Sequence, residues 1–243
     1  LGEAQHVRLF AQAGQYSVKE VSGDSNDIYA FDQQAGAEAW FGGDVKSPKV
    51  KATATGGYFV TANLPLLKAG DSPNLGNTLA GSSASTNNLE NFHVAYARGE
   101  VAVALSDKPF LGTPAKLTFS GEYDKNLTAT FQNLASDQTE AWTLQAAFGE
   151  AKKRGQWQVS YQYKDMQANA VWDAITDSDW GNGGTDRRGH VVKAAYQVRD
   201  WWQLGFTAFI TEKISNVANS GHNTSGINGE KLLRVQADTV FKF

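Results

Sequence analysis

The chain has no cysteine, a single methionine and five prolines in 243 residues. Without cysteine there are no disulfides, thiolate metal ligands or thiol nucleophiles. A cysteine-free chain is compatible with an oxidising compartment. There is also no excess of one charge: 22 Lys plus Arg face 25 Asp plus Glu, a formal net charge of −3. That balance gives no reason to expect nucleic acid as a partner, which would favour a clustered basic face. No stretch approaches the ~18 consecutive apolar residues of a membrane helix, and mean hydropathy is −0.41. Hydropathy is blind to β-barrels, however, because apolar and polar residues alternate and cancel within any window. The chain opens on LGEAQHVRLF, without an initiator Met or a signal peptide. The expectation is a processed N-terminus or a piece of something longer.

What is present is glycine (24), aromatic residues (13 Phe, 8 Tyr, 7 Trp) and a period of two. TPAKLTFSGEYDKN sets Leu117, Phe119, Gly121 and Tyr123 against Lys116, Thr118, Ser120, Glu122 and Asp124. GQWQVSYQYKD sets Trp157, Val159, Tyr161 and Tyr163 against Gln158, Ser160, Gln162 and Lys164. WWQLGFTAFI sets Trp202, Leu204, Phe206, Ala208 and Ile210 against Gln203, Gly205, Thr207 and Phe209. EAWTLQAAFG, HVVKAAYQV and KVKATATGGYFVTAN alternate likewise, and residues 6–19 and 28–41 extend the pattern. FHVAYARGEVAVAL changes phase near Arg98 and Gly99, which predicts a bulge. About ten strands are expected, each with one apolar and one polar face.

Short connections are expected near 42–48, 106–113, 150–155 and 199–201, and longer polar ones at 64–90, 126–138, 166–189 and 214–230. Short turns at one end and long loops at the other are the plan of an outer-membrane barrel. The closing KLLRVQADTVFKF puts Phe243, Phe241, Thr239, Ala237, Val235 and Leu233 on one side of an extended chain. Termini fray unless tied down, yet this one stops within a strand, on an aromatic residue. Soluble sandwiches and lipocalin-like barrels also alternate, but their inward apolar face is rich in Val, Ile and Leu. Here that face mixes Ala and Gly with aromatics near strand ends. The expected fold is all-β: an antiparallel up-and-down transmembrane β-barrel of about ten strands, one domain over residues 1–243.

The aromatic-x-Phe ending, Phe241 and Phe243, resembles the last-strand signal of Gram-negative outer-membrane proteins. That resemblance implies an assembly signal read by the barrel assembly machinery. From about residue 88 onward, KLTFSGEYDKN, GQWQVSYQYKDMQANAVWDAITDSDWGNGGTDRRGH and WWQLGFTAFI resemble the C-terminal part of the putative porin family. The likeness includes the spaced run Asp173, Asp177, Ser178, Asp179, Gly181, Gly183, Gly184, Gly189 and His190. Residues 28–63 fit that family more loosely, and its porins are usually longer than this chain. The resemblance implies a porin in the bacterial outer membrane, surrounded by lipid, that passes small hydrophilic solutes or ions by diffusion. It implies no cofactor, and leaves a homo-oligomer open. Ten strands closed on themselves give a barrel only slightly wider than the eight-stranded ones that side chains fill, whereas aqueous channels typify 16–18 strands. A closed ten-strand barrel is thus narrow or plugged, while a larger barrel containing this chain has a wide channel. The alternative is a non-channel outer-membrane barrel acting as structural anchor or surface-binding protein, marked by inward-facing Trp40, Phe59 and Phe209.

The polar faces carry the candidate pore-lining set: Lys51, Lys116, Glu122, Asp124, Lys164, Lys193, Lys213, Arg234 and Asp238. Charged rings tune ion selectivity, although lumen charges also pair across strands. With Arg8, Lys242, Asp32, Glu38 and Glu100 included, the balance leans slightly toward anions. In the loop 170–190, Asp177, Asp179 and Asp186 lack the spacing of an EF-hand, and GNGG lacks the Lys-Ser/Thr and helix of a phosphate loop. A turn cluster with Arg187 or Arg188 as ion-pair partner is expected there, and no metal. His6, His93, His190 and His222 are scattered. His190 or His222 with Asp179 or Asp186 is a conceivable hydrolytic set, but no spacing selects it, and no catalytic residue is expected. Trp142, Trp157, Trp201 and Trp202 lie near strand ends, where aromatic rings occupy membrane interfaces. Trp172 and Trp180 are expected to pack within the long loop, with carbohydrate stacking as the competing use.

Overall fold

The structure, a computed structural model, describes residues 6–20, 26–43, 48–67, 76–78, 90–133, 138–214 and 231–242. Phe243 and His222 lie outside the described residues. Ten strands follow in chain order: β1 (His6–Lys19), β2 (Ile28–Phe41), β3 (Val50–Ala62), β4 (His93–Ala104), β5 (Lys116–Asn126), β6 (Glu140–Gly149), β7 (Trp157–Met166), β8 (Arg187–Arg199), β9 (Trp202–Lys213) and β10 (Lys231–Phe241). Each pairs antiparallel with its chain neighbours, giving one sheet in the order β1 to β10. None of the four prolines among the described residues falls within a strand, so no ladder there loses a donor to one. Among the described residues no helix is long and apolar enough to cross a membrane, which says nothing of strands.

The register turns the period of two into two continuous faces, because residues paired across strands share a side. One row runs through Leu9, Ala37, Ala54, Gly99, Gly121, Leu144, Tyr163, His190, Ile210 and Leu233. The opposite face carries Arg8, Glu38, Thr53, Glu100, Ser120, Gln145 and Gln162 in one row. The apolar face is bare: Leu144 is 59 % exposed, Phe119 51 % and Phe206 44 %. The polar face is the covered one. Against it pack Leu64, Leu67, Phe92, Phe131 and Trp172 from the connections, together with Ile28 and Val94 of the sheet. A second cluster joins Trp180 of the β7–β8 connection to Val191 and Phe209.

Two expectations need correction. β4 has no bulge at Arg98 and Gly99: its register with β3 and β5 is continuous from Val94 to Val103. The apparent phase change came from Val94 and Tyr96, apolar residues on the polar face, buried there beneath the connections. Register shifts instead fall between Ser17 and Lys19 and between Gln197 and Arg199. β8 begins at Arg187, inside the segment read as loop, because Arg187 and Arg188 pair with both β7 and β9. Among the described residues β1 pairs only with β2, and β10 only with β9. The all-β antiparallel meander is therefore established, and its closure into a barrel is not.

Candidate functional site: a cavity under the β7–β8 loop

The 20-residue connection between β7 and β8 lies over the polar face, and side chains hold it there. Asn77, fully buried, donates to the carbonyls of Ala168 (2.7 Å) and Val171 (2.8 Å) and accepts from the Asp173 N–H at 2.8 Å. Beside it, the Thr78 N–H donates to Asn169 Oδ1 (2.8 Å) and Asn169 Nδ2 donates to Thr78 Oγ1 (2.9 Å). Asn126 at the end of β5 donates to the Asn169 carbonyl at 2.8 Å. On the far side Arg234 of β10 donates to Asp179 Oδ1 (3.0 Å) and Asn182 Oδ1 (2.7 Å). The loop thus spans from the β3–β4 connection to the last strand. Left-handed backbone at Asn182 (φ 68°), Gly183 (84°) and Gly184 (88°) lets it turn back toward β8.

Beneath residues 171–177 a cavity of about 600 Å³ opens against the polar faces of β1 to β5 and β7. One cavity touching β1 and β7 from the same side makes that side concave. Phe59, Val94 and Trp172 form its apolar wall, and Asp32, Arg98, Glu122, Asp124, Lys164 and Asp177 its charged one. Arg98 pairs with Glu122, Nε to Oε2 at 3.0 Å and Nη2 to Oε1 at 3.1 Å, and its guanidinium lies 4.6 Å from the Tyr96 ring centroid. The Tyr96 hydroxyl donates to Asp32 at 2.8 Å.

Tyr96 is held in turn by Gly57, where a Cβ would overlap its ring. Gly57→Ala is expected to push Tyr96 off Asp32 and cost about 1–3 kcal/mol, the usual range for overpacking. Gly99→Ala, with open space around its Cβ, is the control. Urea midpoints of the two variants check this, and equal midpoints count against the packing.

All nine candidate pore-lining residues fall on the polar face by register. Only Glu122, Asp124 and Lys164 line the cavity. Lys51 is engaged by Glu38 at 2.6 Å, which also pairs with Arg8, and Lys116 lies 3.7 Å from Glu150. Arg234 anchors the loop, while Lys193, Lys213 and Asp238 do not line the cavity. Tyr96 and Asn77 were missed in the sequence, and Asp177 reads there only as part of a turn cluster. Reading β4 in one continuous phase would have placed Tyr96 beside Arg98 on the polar face. Arg188 does not serve the loop acids: it pairs with Glu212 at 2.6 Å on the apolar face. His190 is on that face too, hydrogen-bonded to the Tyr161 hydroxyl at 2.8 Å, whereas Asp179 sits over the polar face with Arg234. The sheet therefore separates His190 from Asp179. Trp172 and Trp180 are 5 % and 1 % exposed, packed rather than presented as a stacking platform. No group of metal-ligating side chains occurs among the described residues.

Comparison with known families matches residues 82–223 to the model described as putative porin. No curated protein matches the chain. The matched stretch covers β4 to β9, the Arg98–Glu122 pair, Asp124, Lys164 and the whole inward loop, more than half of the chain. The chain belongs to the putative porin family.

Proposed function

We propose that this chain forms the wall of a β-barrel in a bacterial outer membrane and passes small hydrophilic solutes or ions by diffusion along its polar face. The observation that carries this reading is the inversion of the usual arrangement: the apolar face is bare and the polar face is concave and covered. A sheet in water would bury the former, since contiguous exposed apolar patches beyond a few hundred Å² are rare on soluble monomers. Strands of 10 to 14 residues suit a tilted crossing of the hydrocarbon layer, which needs about 9–11 residues. Among the described residues, charged pairs on the apolar face appear only at the loop end, as Lys125–Glu140 at 3.1 Å and Arg188–Glu212. At the turn end Trp201, Trp202 and Phe241 stack with centroids 6.0–6.3 Å apart. Trp142 and Tyr163, 5.1 Å apart, lie toward the loop end. Aromatic belts at two levels mark the edges of a lipid-facing band.

Open sheet edges do not persist in hydrocarbon. In the membrane, β1 and β10 are therefore joined to each other or through further strands. Phe241 and Phe243 serve as the signal for the barrel assembly machinery. Diffusion needs no cofactor and no covalent chemistry. A second reading, a plugged anchor or surface-binding barrel, is favoured by one observation: Trp40, Phe59 and Phe209 all lie on the polar face, and Trp40 and Phe209 are buried there.

Single-channel recording of the purified chain in a planar bilayer, with intact mass on the same sample, separates the two. Clear conductance steps from a 26.3 kDa species are expected. A silent bilayer at that mass would favour the plugged anchor, and steps only from a heavier species would place the chain in a larger barrel.

A further inference from the structure

We infer that the cavity under the β7–β8 loop binds small organic cations with an apolar body, and, resting on the diffusion reading above, that this is the solute class the lumen selects. The reasoning starts from Asp124. It is 8 % exposed and lines the cavity from β5. No cation lies within ion-pair distance of it among the described residues. The groups that act on it are Glu122, of the same sign and in side-chain hydrogen-bond contact with it, and Arg98, which Glu122 already engages through two contacts. Asp32 enters from β2 and Asp177 from the loop roof, and neither has an ion-pair partner among the described residues. Among the described residues lining the cavity, Lys164 is the one cation without an ion pair to set against these three carboxylates. Its ammonium lies over the Trp180 ring, 5.3 Å from the centroid, and within the attraction of Asp177.

The acidic excess is local. Elsewhere the polar face carries Lys51, Lys116, Lys193, Lys213 and Arg234, so the whole face leans basic while the cavity leans acidic. A buried carboxylate without a counter-ion is costly, and an incoming ammonium removes that cost. The remaining lining selects what the ammonium is attached to. Phe59, Val94, Met166, Val171, Trp172 and Ile175 present apolar surface, which a hydrated inorganic ion would leave unused. A volume of about 600 Å³ lies within the ~300–1,000 Å³ range of small-molecule sites. An organic anion of the same shape would meet Asp32, Asp124 and Asp177.

The test is binding of 2-phenylethylammonium to the full chain in detergent, read by calorimetry and by tryptophan fluorescence, with 3-phenylpropionate as the anionic counterpart. Saturable binding of the cation and none of the anion is expected. Asp124→Asn should weaken the cation about tenfold, as loss of one charge-assisted contact does. Lys164→Gln, which removes a like charge, should tighten it, so the two variants move in opposite directions. Equal binding of both probes, or an affinity unchanged in a folded Asp124→Asn protein, would overturn the inference. So would absence of saturation up to about 10 mM, the weak end of measurable affinity. Binding in detergent does not require an open pore. Conductance steps without probe binding would sink the cavity assignment and leave the channel standing, whereas probe binding with a silent bilayer would keep the site and sink diffusion.

Discussion

Arginine in place of Phe206 or Leu144 is expected to block insertion into a bilayer or to cost about 2–4 kcal/mol of folded stability there. Arginine in place of Gln145 should be tolerated. Phe206 and Leu144 sit on the bare apolar face, and a guanidinium there would have to enter hydrocarbon without a partner. Gln145 neighbours Leu144 in β6 but points the other way, between Ser120 and Gln162, where a long cation meets polar side chains and water. The comparison is sharp because residues 144 and 145 are adjacent in β6, pair with the same two strands and face opposite sides. Folded yield in lipid vesicles and urea titration of the inserted protein measure it. Equal tolerance at all three positions would mean that the apolar face does not meet lipid, and the membrane reading would fall with it.

The second large effect is expected at Asn77. Its carboxamide makes three hydrogen bonds of 2.7–2.8 Å to the backbone of the β7–β8 loop, in a place with no solvent access. Buried bonds of this kind contribute about 0.5–1.5 kcal/mol each, and more when a polar group is left stranded. Asn77→Ala should therefore weaken the docking of the loop by roughly 2–4 kcal/mol. Two readouts follow. Chymotrypsin should begin to cut at Trp172 or Trp180, which the docked loop buries, and single-channel conductance should rise as the loop leaves the polar face. Unchanged proteolysis and conductance would show that Asn77 is not what holds the loop in place.

Much of the fold was legible residue by residue. β1 and β2 begin and end where the alternation at 6–19 and 28–41 does, because side chains on a pleated chain change face at every residue. The misplaced bulge in β4 is instructive. Tyr96 and Val94 were assigned to the apolar face by their chemistry, yet the register puts them on the polar face, where Val94 packs with Phe92, Phe131 and Trp172 and Tyr96 meets Asp32. A hydrophobic side chain faces whatever covers it, and the cover here is a connection far away in sequence. For the same reason the period of two places the charged set together on the polar face, but does not mark the subset that shares a cavity. Asn77 had no signal at all. It lies in a polar Gly-, Asn- and Ser-rich segment, 91 to 96 residues from the groups it holds, and asparagine in such a segment ordinarily reads as a turn former.

The sequence by itself determined the number of strands, the two chemically distinct faces, the alternation of short turns with long loops, and so the order of a simple meander. These are local properties: a period of two and the placement of Gly, Asn and Pro act within a few residues. The tertiary structure decided which loop folds inward, that Asn77, Asn126 and Arg234 anchor it, and that Asp124 meets Asp32, Asp177 and Lys164 around one apolar-walled space. Those choices come from packing and hydrogen bonds between segments distant in the chain, and residue spacing along a strand carries no trace of them.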